Sequence, residues 1–281
     1  MSALAGRTVV VTGGSMGIGY ACAEAALAAG ANVVIAARGE HALIAAADQL
    51  GGSRVLARTC DVTDAAQVDA LFADAIDHFG VVDGVVHAAA VMGPIGEITD
   101  VSEDEWFGAV RVDLFGTFLV ARAAARALQR RGGKIVLLSG GGATAPLPRY
   151  SAYACSKAGV VRLAETLAQE LAPYRIDVNA LAPGFVATRM HQATLEAGAR
   201  AGEAYLRRTQ EELERGGVPA ALAASAAVFL LSAESDGITG RLLAAPWDAW
   251  TKWPERVQDI RDSDVFTLRR IVPRDRGMEW Q

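Results

Sequence analysis

The sequence predicts an α/β fold built on one doubly wound parallel sheet with helices on both faces. Three observations predict it. Short β-branched runs alternate with longer alanine-rich helical runs along most of the chain. Several of the short runs are apolar throughout, as in strands buried on both faces. A glycine-rich turn joins the first short run to the first helical one.

The strand candidates are 7–12, 31–37, 53–59, 81–88, 133–139, 175–181 and 240–245. Helix candidates lie between them at 17–29, 40–50, 64–79, 103–130, 152–172 and 219–233. Thr63-Asp64, and Ser102 ahead of Glu105, have the composition of helix starts. Two stretches break the alternation. Residues 189–217 interpose charged helical sequence at the C-terminal edge of the sheet, where ligands bind in such folds, and are expected to form a substrate lid. Residues 246–281 hold Trp247, Trp250, Trp253 and Trp280, too aromatic for a disordered tail. The expected organisation is one domain over 1–245 and an ordered extension over 246–281, packed on its own body or on a neighbouring subunit.

With 281 residues, 52% of them hydrophobic, the chain can bury a large core. A formal charge of −5 gives no electrostatic footprint for nucleic acid. The N-terminus has no apolar h-region, and no apolar run approaches the ~18 residues of a membrane span. Cys22, Cys60 and Cys155 are isolated, which points away from a zinc site or a disulfide framework and fits a reducing cytoplasm.

The turn after the first strand reads TGGSMGIG, Thr12 to Gly19. Gly13, Gly17 and Gly19 suit a phosphate-binding turn. One permits positive φ, one lets backbone approach a pyrophosphate, and one allows close helix–strand packing. Ser15, Met16 and Ile18 complete the cradle, and the helix starting near Gly17 offers free N–H groups. The second strand ends in Ala37-Arg38 rather than in a carboxylate. An acidic residue there would bind a ribose 2′-OH and repel a 2′-phosphate. Arg38, with Ser15 as a second donor, suits the phosphate, so NADP(H) is expected over NAD(H). Further on, Tyr153 and Lys157 are four residues apart, one turn of a helix, a spacing that suits proton transfer.

In the order and spacing of these motifs, from about Arg7 to Ala245, the chain resembles the short-chain dehydrogenase/reductase family. TGGSMGIG matches TGxxxGxG, CDVTD at 60–64 matches the segment after the third strand, YACSK at 153–157 matches YxxxK, and PGFVAT at 183–188 matches PGxxxT. The resemblance implies a seven-stranded Rossmann sheet and a homodimer or homotetramer. It implies that Asp61, beside Val62, contacts adenine, and that Ala88 and Ala89 border the cofactor. Thr188 would bond the nicotinamide carboxamide in a segment with Pro183, Gly184 and Val186, and Lys157 would bond the ribose. Tyr153 would be the general acid/base, activated by the positive charge of Lys157.

Three positions depart from the family pattern. The serine expected thirteen residues before the tyrosine is Gly140; Ser139 lies one residue early, where a strand side chain points to the other face. The NNAG segment reads HAAA from His87 to Ala90, and the asparagine of the fourth helix is Asp113. Ser139, Thr144 or the glycine backbone could supply the missing donor. Asp113 could accept a hydrogen bond from water or Lys157, and as an anion would raise the lysine pKa. Arg149, His191, Arg207 and Arg208 lie on candidate substrate-facing segments and suggest a polar, sugar-like small molecule. The expected activity is NADP(H)-dependent interconversion of an alcohol and a carbonyl, with no metal. The alternatives are a non-catalytic NADP(H) sensor and an epimerase or lyase using transient oxidation.

Overall fold

A computed structural model describes residues 2–280. Its sheet holds seven parallel strands in the order β3-β2-β1-β4-β5-β6-β7. The strands are β1 (Thr8–Thr12), β2 (Asn32–Ala37), β3 (Val55–Thr59), β4 (Gly84–His87), β5 (Gly133–Leu138), β6 (Ile176–Ala182) and β7 (Leu242–Ala244). Helices α1 (Gly17–Ala28), α2 (Glu40–Leu50) and α3 (Ala65–Phe79) connect the first four strands. The chain direction across the sheet reverses between β1 and β4, which opens a crevice at the carboxyl ends of those strands.

Strand alternation divides the core between two faces. Val10, Val85, Ile135 and Val178 point to one side, against Val68 and Leu71 of α3 and the next two crossover helices. Val9, Val11, Val86 and Val136 point to the other, against Cys22 and Ala26 of α1 and Leu43 of α2. Asp64 starts α3 by accepting from the backbone N–H groups of Ala66 and Gln67, so the sequence-level helix start is a working cap.

The helix expected over 103–130 is interrupted. It consists of α4 (Glu103–Val110), a π-helical turn (Arg111–Phe115) and α5 (Gly116–Leu128). The π turn holds one buried residue, Asp113, which it turns inward. After β5 comes α6 (Ser151–Glu170), and after β6 come α7 (Arg189–Ala197) and α8 (Glu203–Glu214), followed by α9 (Ala220–Leu231).

Beyond β7 the chain forms a 3₁₀ segment (Trp250–Arg256) and α10 (Val257–Arg261). Trp253 and Ile260 are buried in the α1/α9 half of the core. Phe266 O then accepts from the Leu242 N–H of β7 at 2.8 Å, and Leu268 N donates to Glu165 of α6 at 2.5 Å. Trp247 and Trp280 stand exposed. Among the described residues, no helix is long and apolar enough to cross a membrane.

Candidate active site

The carboxyl ends of β1, β4, β5 and β6 lie side by side in the sheet. At the first, a Cβ on Gly13 would lie 2.7 Å from the Ala89 nitrogen and 2.8 Å from the Ala88 carbonyl carbon, so only glycine lets β1 and β4 run this close. A Cβ on Gly19 would strike Gly13 O at 2.2 Å, which closes the turn onto α1. Gly17 has φ +57° and faces Thr188, whose methyl lies 3.4 Å from where a Cβ would sit. The N-cap of α1 is Met16, which offers no side-chain acceptor to the first-turn N–H groups. Ser15 and Ile18 flank it half-buried.

The other residues expected to contact a cofactor lie after β2, β3 and β6. Arg38 is exposed immediately after β2. Asp61 accepts from Thr63 N at 2.9 Å and Thr63 Oγ1 at 2.8 Å, and buried Val62 packs under Gly116. Pro183, Gly184 and Val186 lie in the loop after β6, and Thr188 is the N-cap of α7 with its hydroxyl making no capping bond. A glycine cradle, a helix start with no side-chain cap and a threonine facing Gly17 fit a dinucleotide.

Tyr153 and Lys157 are both buried on α6. Lys157 Nζ donates to Leu138 O at the end of β5 at 3.1 Å and lies 5.5 Å from the Tyr153 ring centre. Asp113 Oδ2 is 4.0 Å from the same ammonium, while Oδ1 accepts from Val91 N at 2.8 Å. Asp113 Oδ2 and His87 Nε2 are buried without a hydrogen-bond partner among the described residues. His87 Nδ1 shares a 2.7 Å hydrogen bond with Thr12 Oγ1, tying β4 to the glycine turn.

Burial dominates the protonation of this cluster. It pushes Tyr153 well above the ordinary phenol range, and the Asp113 charge pushes in the same direction. It pushes Lys157 down, with Asp113 opposing, and it pushes Asp113 up, with Lys157 and the Val91 N–H opposing. His87 is held at about 3, first by burial and then by the Lys157 charge, so its ring is neutral. The family resemblance implies that the positive charge of Lys157 activates Tyr153. In the folded protein, burial and Asp113 are the stronger influences, and they raise the phenol pKa.

The glycine at the serine position faces the reaction centre. A Cβ at Gly140 would lie 2.4 Å from Tyr153 Oη. Ser139 points elsewhere: it is buried and donates to Lys157 O at 3.4 Å. Thr144 is exposed on the loop.

The stretch 189–217 packs apolar side chains into the cluster that holds Tyr153. Met92, Ile95, Tyr150, Ala197 and Ala201 form one buried cluster with it, joined by Met190, Tyr205 and Leu206. Tyr150 donates to Thr194 Oγ1 at 3.1 Å and its ring lies 4.9 Å from that of Tyr205. The charged residues expected to face substrate are engaged elsewhere. Arg149 pairs with Glu97 at 2.8 Å, the His191 ring stacks on Phe185 at 3.7 Å, and Arg207 and Arg208 are exposed. Tyr205 was not singled out from sequence, because nothing in a charged helical stretch marks which residue turns inward.

A family model described as enoyl-(acyl carrier protein) reductase matches residues 13–245. The chain is 34% identical over 253 residues to 2,5-dichloro-2,5-cyclohexadiene-1,4-diol dehydrogenase of Sphingobium indicum, covering 87% of this chain and 97% of the relative. It is 33% identical over 258 residues to versicolorin reductase of Emericella nidulans, covering 88% and 97%. Among solved structures, an actinorhodin polyketide ketoreductase variant with NADPH superposes with a TM-score of 0.78 at 29% identity, covering 85% of this chain and 95% of that one. A short-chain dehydrogenase from Mycobacterium smegmatis gives 0.73 at 29% identity, covering 87% and 93%. With the parallel sheet, the glycine turn and the Tyr153–Lys157 helix in their places, the chain belongs to the short-chain dehydrogenase/reductase family, whose members are nicotinamide-dependent oxidoreductases.

Proposed function

We propose that this protein is an NADP(H)-dependent reductase of a small cyclic ketone, working as a homodimer or homotetramer. The observation that carries the reading is Tyr153, buried and protonated beside Lys157 at the carboxyl end of β5. When bound, the nicotinamide supplies the hydride. Tyr153 then donates its proton to the oxygen of the reduced carbonyl, and the phenolate it leaves is stabilised by the Lys157 charge. The phenol can donate a proton in the reductive direction, and its phenolate can accept one in the oxidative direction. Arg38, with no carboxylate at the end of β2, favours the 2′-phosphorylated cofactor, and one structural neighbour contains NADPH.

The apolar wall around Tyr153 favours a ring over a charged sugar, and the diol dehydrogenase and the ketoreductase among the relatives fit that choice. Phe107, Phe115 and Phe118 stand exposed on the α4–α5 stretch, an apolar surface that suits self-assembly.

The purified protein, saturated with NADPH, should be screened against cyclic ketones and keto-sugars while cofactor absorbance is followed. Turnover of a cyclic ketone that falls about 10²–10⁴-fold in Tyr153→Phe, with NADPH affinity kept, is the expected result. A second reading, a non-catalytic NADP(H) sensor, is favoured by Gly140 in place of the serine. NADPH binding without turnover across the panel would replace the first reading with the second.

A further inference from the structure

A cleft lies away from the active site, at the amino ends of the strands. It encloses about 610 Å³ and is bordered by the starts of β1, β5, β6 and β7. Five cationic side chains line it, Arg7, Arg131, Lys134, Arg175 and Arg261, against three carboxylates, Asp83, Asp177 and Asp236. The carboxylates are already engaged. Lys134 Nζ binds Asp177 at 2.6 Å and Asp236 at 2.8 Å, and Asp83 accepts the Thr8 N–H at 2.9 Å. Among the described residues, Arg7, Arg131, Arg175 and Arg261 have no carboxylate within 4.0 Å; Arg7 donates instead to Leu231 O. The cleft is therefore a local excess of positive charge on a chain of net charge −5.

Arg175 also departs from what its backbone favours. It ends the 3₁₀ turn after α6 in the left-handed region, φ 58° and ψ 42°, where glycine is the unstrained choice. Its carbonyl is clamped by the opposite wall. Gly133 N donates to Arg175 O at 3.1 Å, and a Cβ on Gly132 would lie 2.6 Å from that oxygen. The fold thus holds an arginine at the mouth of the cleft, in a backbone state that a side chain makes less favourable, on a rigid double-glycine support.

We infer that this cleft is a second ligand site, which binds a small polyphosphorylated metabolite through Arg131, Arg175 and Arg261. Planar guanidinium groups from separate segments suit phosphate oxygens, and the volume is that of a small-molecule site. The site is separate from the glycine turn and does not depend on the proposed reaction.

Inorganic pyrophosphate is the probe, titrated by calorimetry and followed by thermal denaturation at fixed ionic strength. Each titration is run with and without saturating NADPH and in Arg38→Ala, so that binding at the glycine turn is recognised. The expected result is a dissociation constant of about 1 mM or tighter that survives NADPH and Arg38→Ala. Arg175→Gly should weaken it at least about 10-fold while leaving the melting temperature of the ligand-free protein equal or higher, since glycine suits the backbone. Arg131→Ala with Arg261→Ala should weaken it similarly. The inference is overturned by no binding at about 10 mM, by binding that NADPH abolishes, by binding unchanged in the arginine variants, or by an equal response to sulfate.

Discussion

The phenolic oxygen of Tyr153 fills the space that a side chain at Gly140 would occupy, 2.4 Å from the position of its Cβ. The glycine and the tyrosine are thus matched to each other. The space of a serine side chain is taken by the Tyr153 phenol, and restoring a side chain there displaces it.

Gly140→Ser is therefore expected to impair rather than repair the enzyme. Crowding into a filled site costs about 1–3 kcal/mol, and displacing the proton donor by about an ångström costs about 10²-fold in turnover. Thermal melts and kcat with a cyclic ketone and NADPH check this. A serine variant more active than the parent would show that the phenol has room to retreat.

Asp113→Asn should move the pH profile. Asp113 raises the pKa of Tyr153 and opposes the fall in that of Lys157, so its charge helps both groups keep their protons. Removing it lowers both pKa values. The alkaline limb of the reduction profile, where the proton donor is lost, should shift to lower pH in the variant. The Val91 N–H still has an amide oxygen to bond, so melting near neutral pH should change little. An unshifted profile would place Asp113 outside the protonation network.

His87 should make the fold sensitive to acid. Its pKa is depressed from 6.5 to about 3 in the folded state, chiefly by burial. The unfolded chain takes up a proton below about 6.5 that the folded chain refuses until about 3. Its stability contribution is complete above that window and is lost as pH falls through it, by up to about 1.4 kcal/mol per pH unit. His87→Asn should flatten this part of the stability–pH curve, as measured by urea unfolding at stepped pH. Parallel curves for the two proteins would refute it.

Arg38→Ala tests the cofactor preference. A charge-assisted contact contributes about 1.5–3 kcal/mol, so NADPH affinity should fall about 10–100-fold while NADH affinity holds. Equal losses for both cofactors, or a parent that prefers NADH, would remove the assignment.

Much of this was legible in the sequence. Val9, Val10 and Val11 read as a strand buried on both faces, and they occupy the two halves of the core. Gly13, Gly17 and Gly19 sat where only a close turn uses glycine, and Asp64 announced its helix. Tyr153 and Lys157 share a helix face because their separation is one turn. These features depend on local backbone geometry and periodicity, which the order of residues determines directly.

What the sequence left open depends on residues far apart in the chain. The stretch 103–130 reads as one helix, and a π turn inside it is what turns Asp113 toward Lys157, 44 positions later. Ser139 and Gly140 are neighbours, but only the packing of α6 against β5 decided that Gly140 meets the phenol while Ser139 bonds Lys157 O. The arginines of the 189–217 stretch suggested a polar, sugar-like substrate, yet packing turned Tyr205 and Leu206 into the cluster that holds Tyr153 and left Arg207 and Arg208 exposed. Protonation followed the same rule. The spacing of Tyr153 and Lys157 was in the sequence, but the burial that raises the phenol pKa exists only once the sheet, α6 and the stretch 189–217 have packed around it.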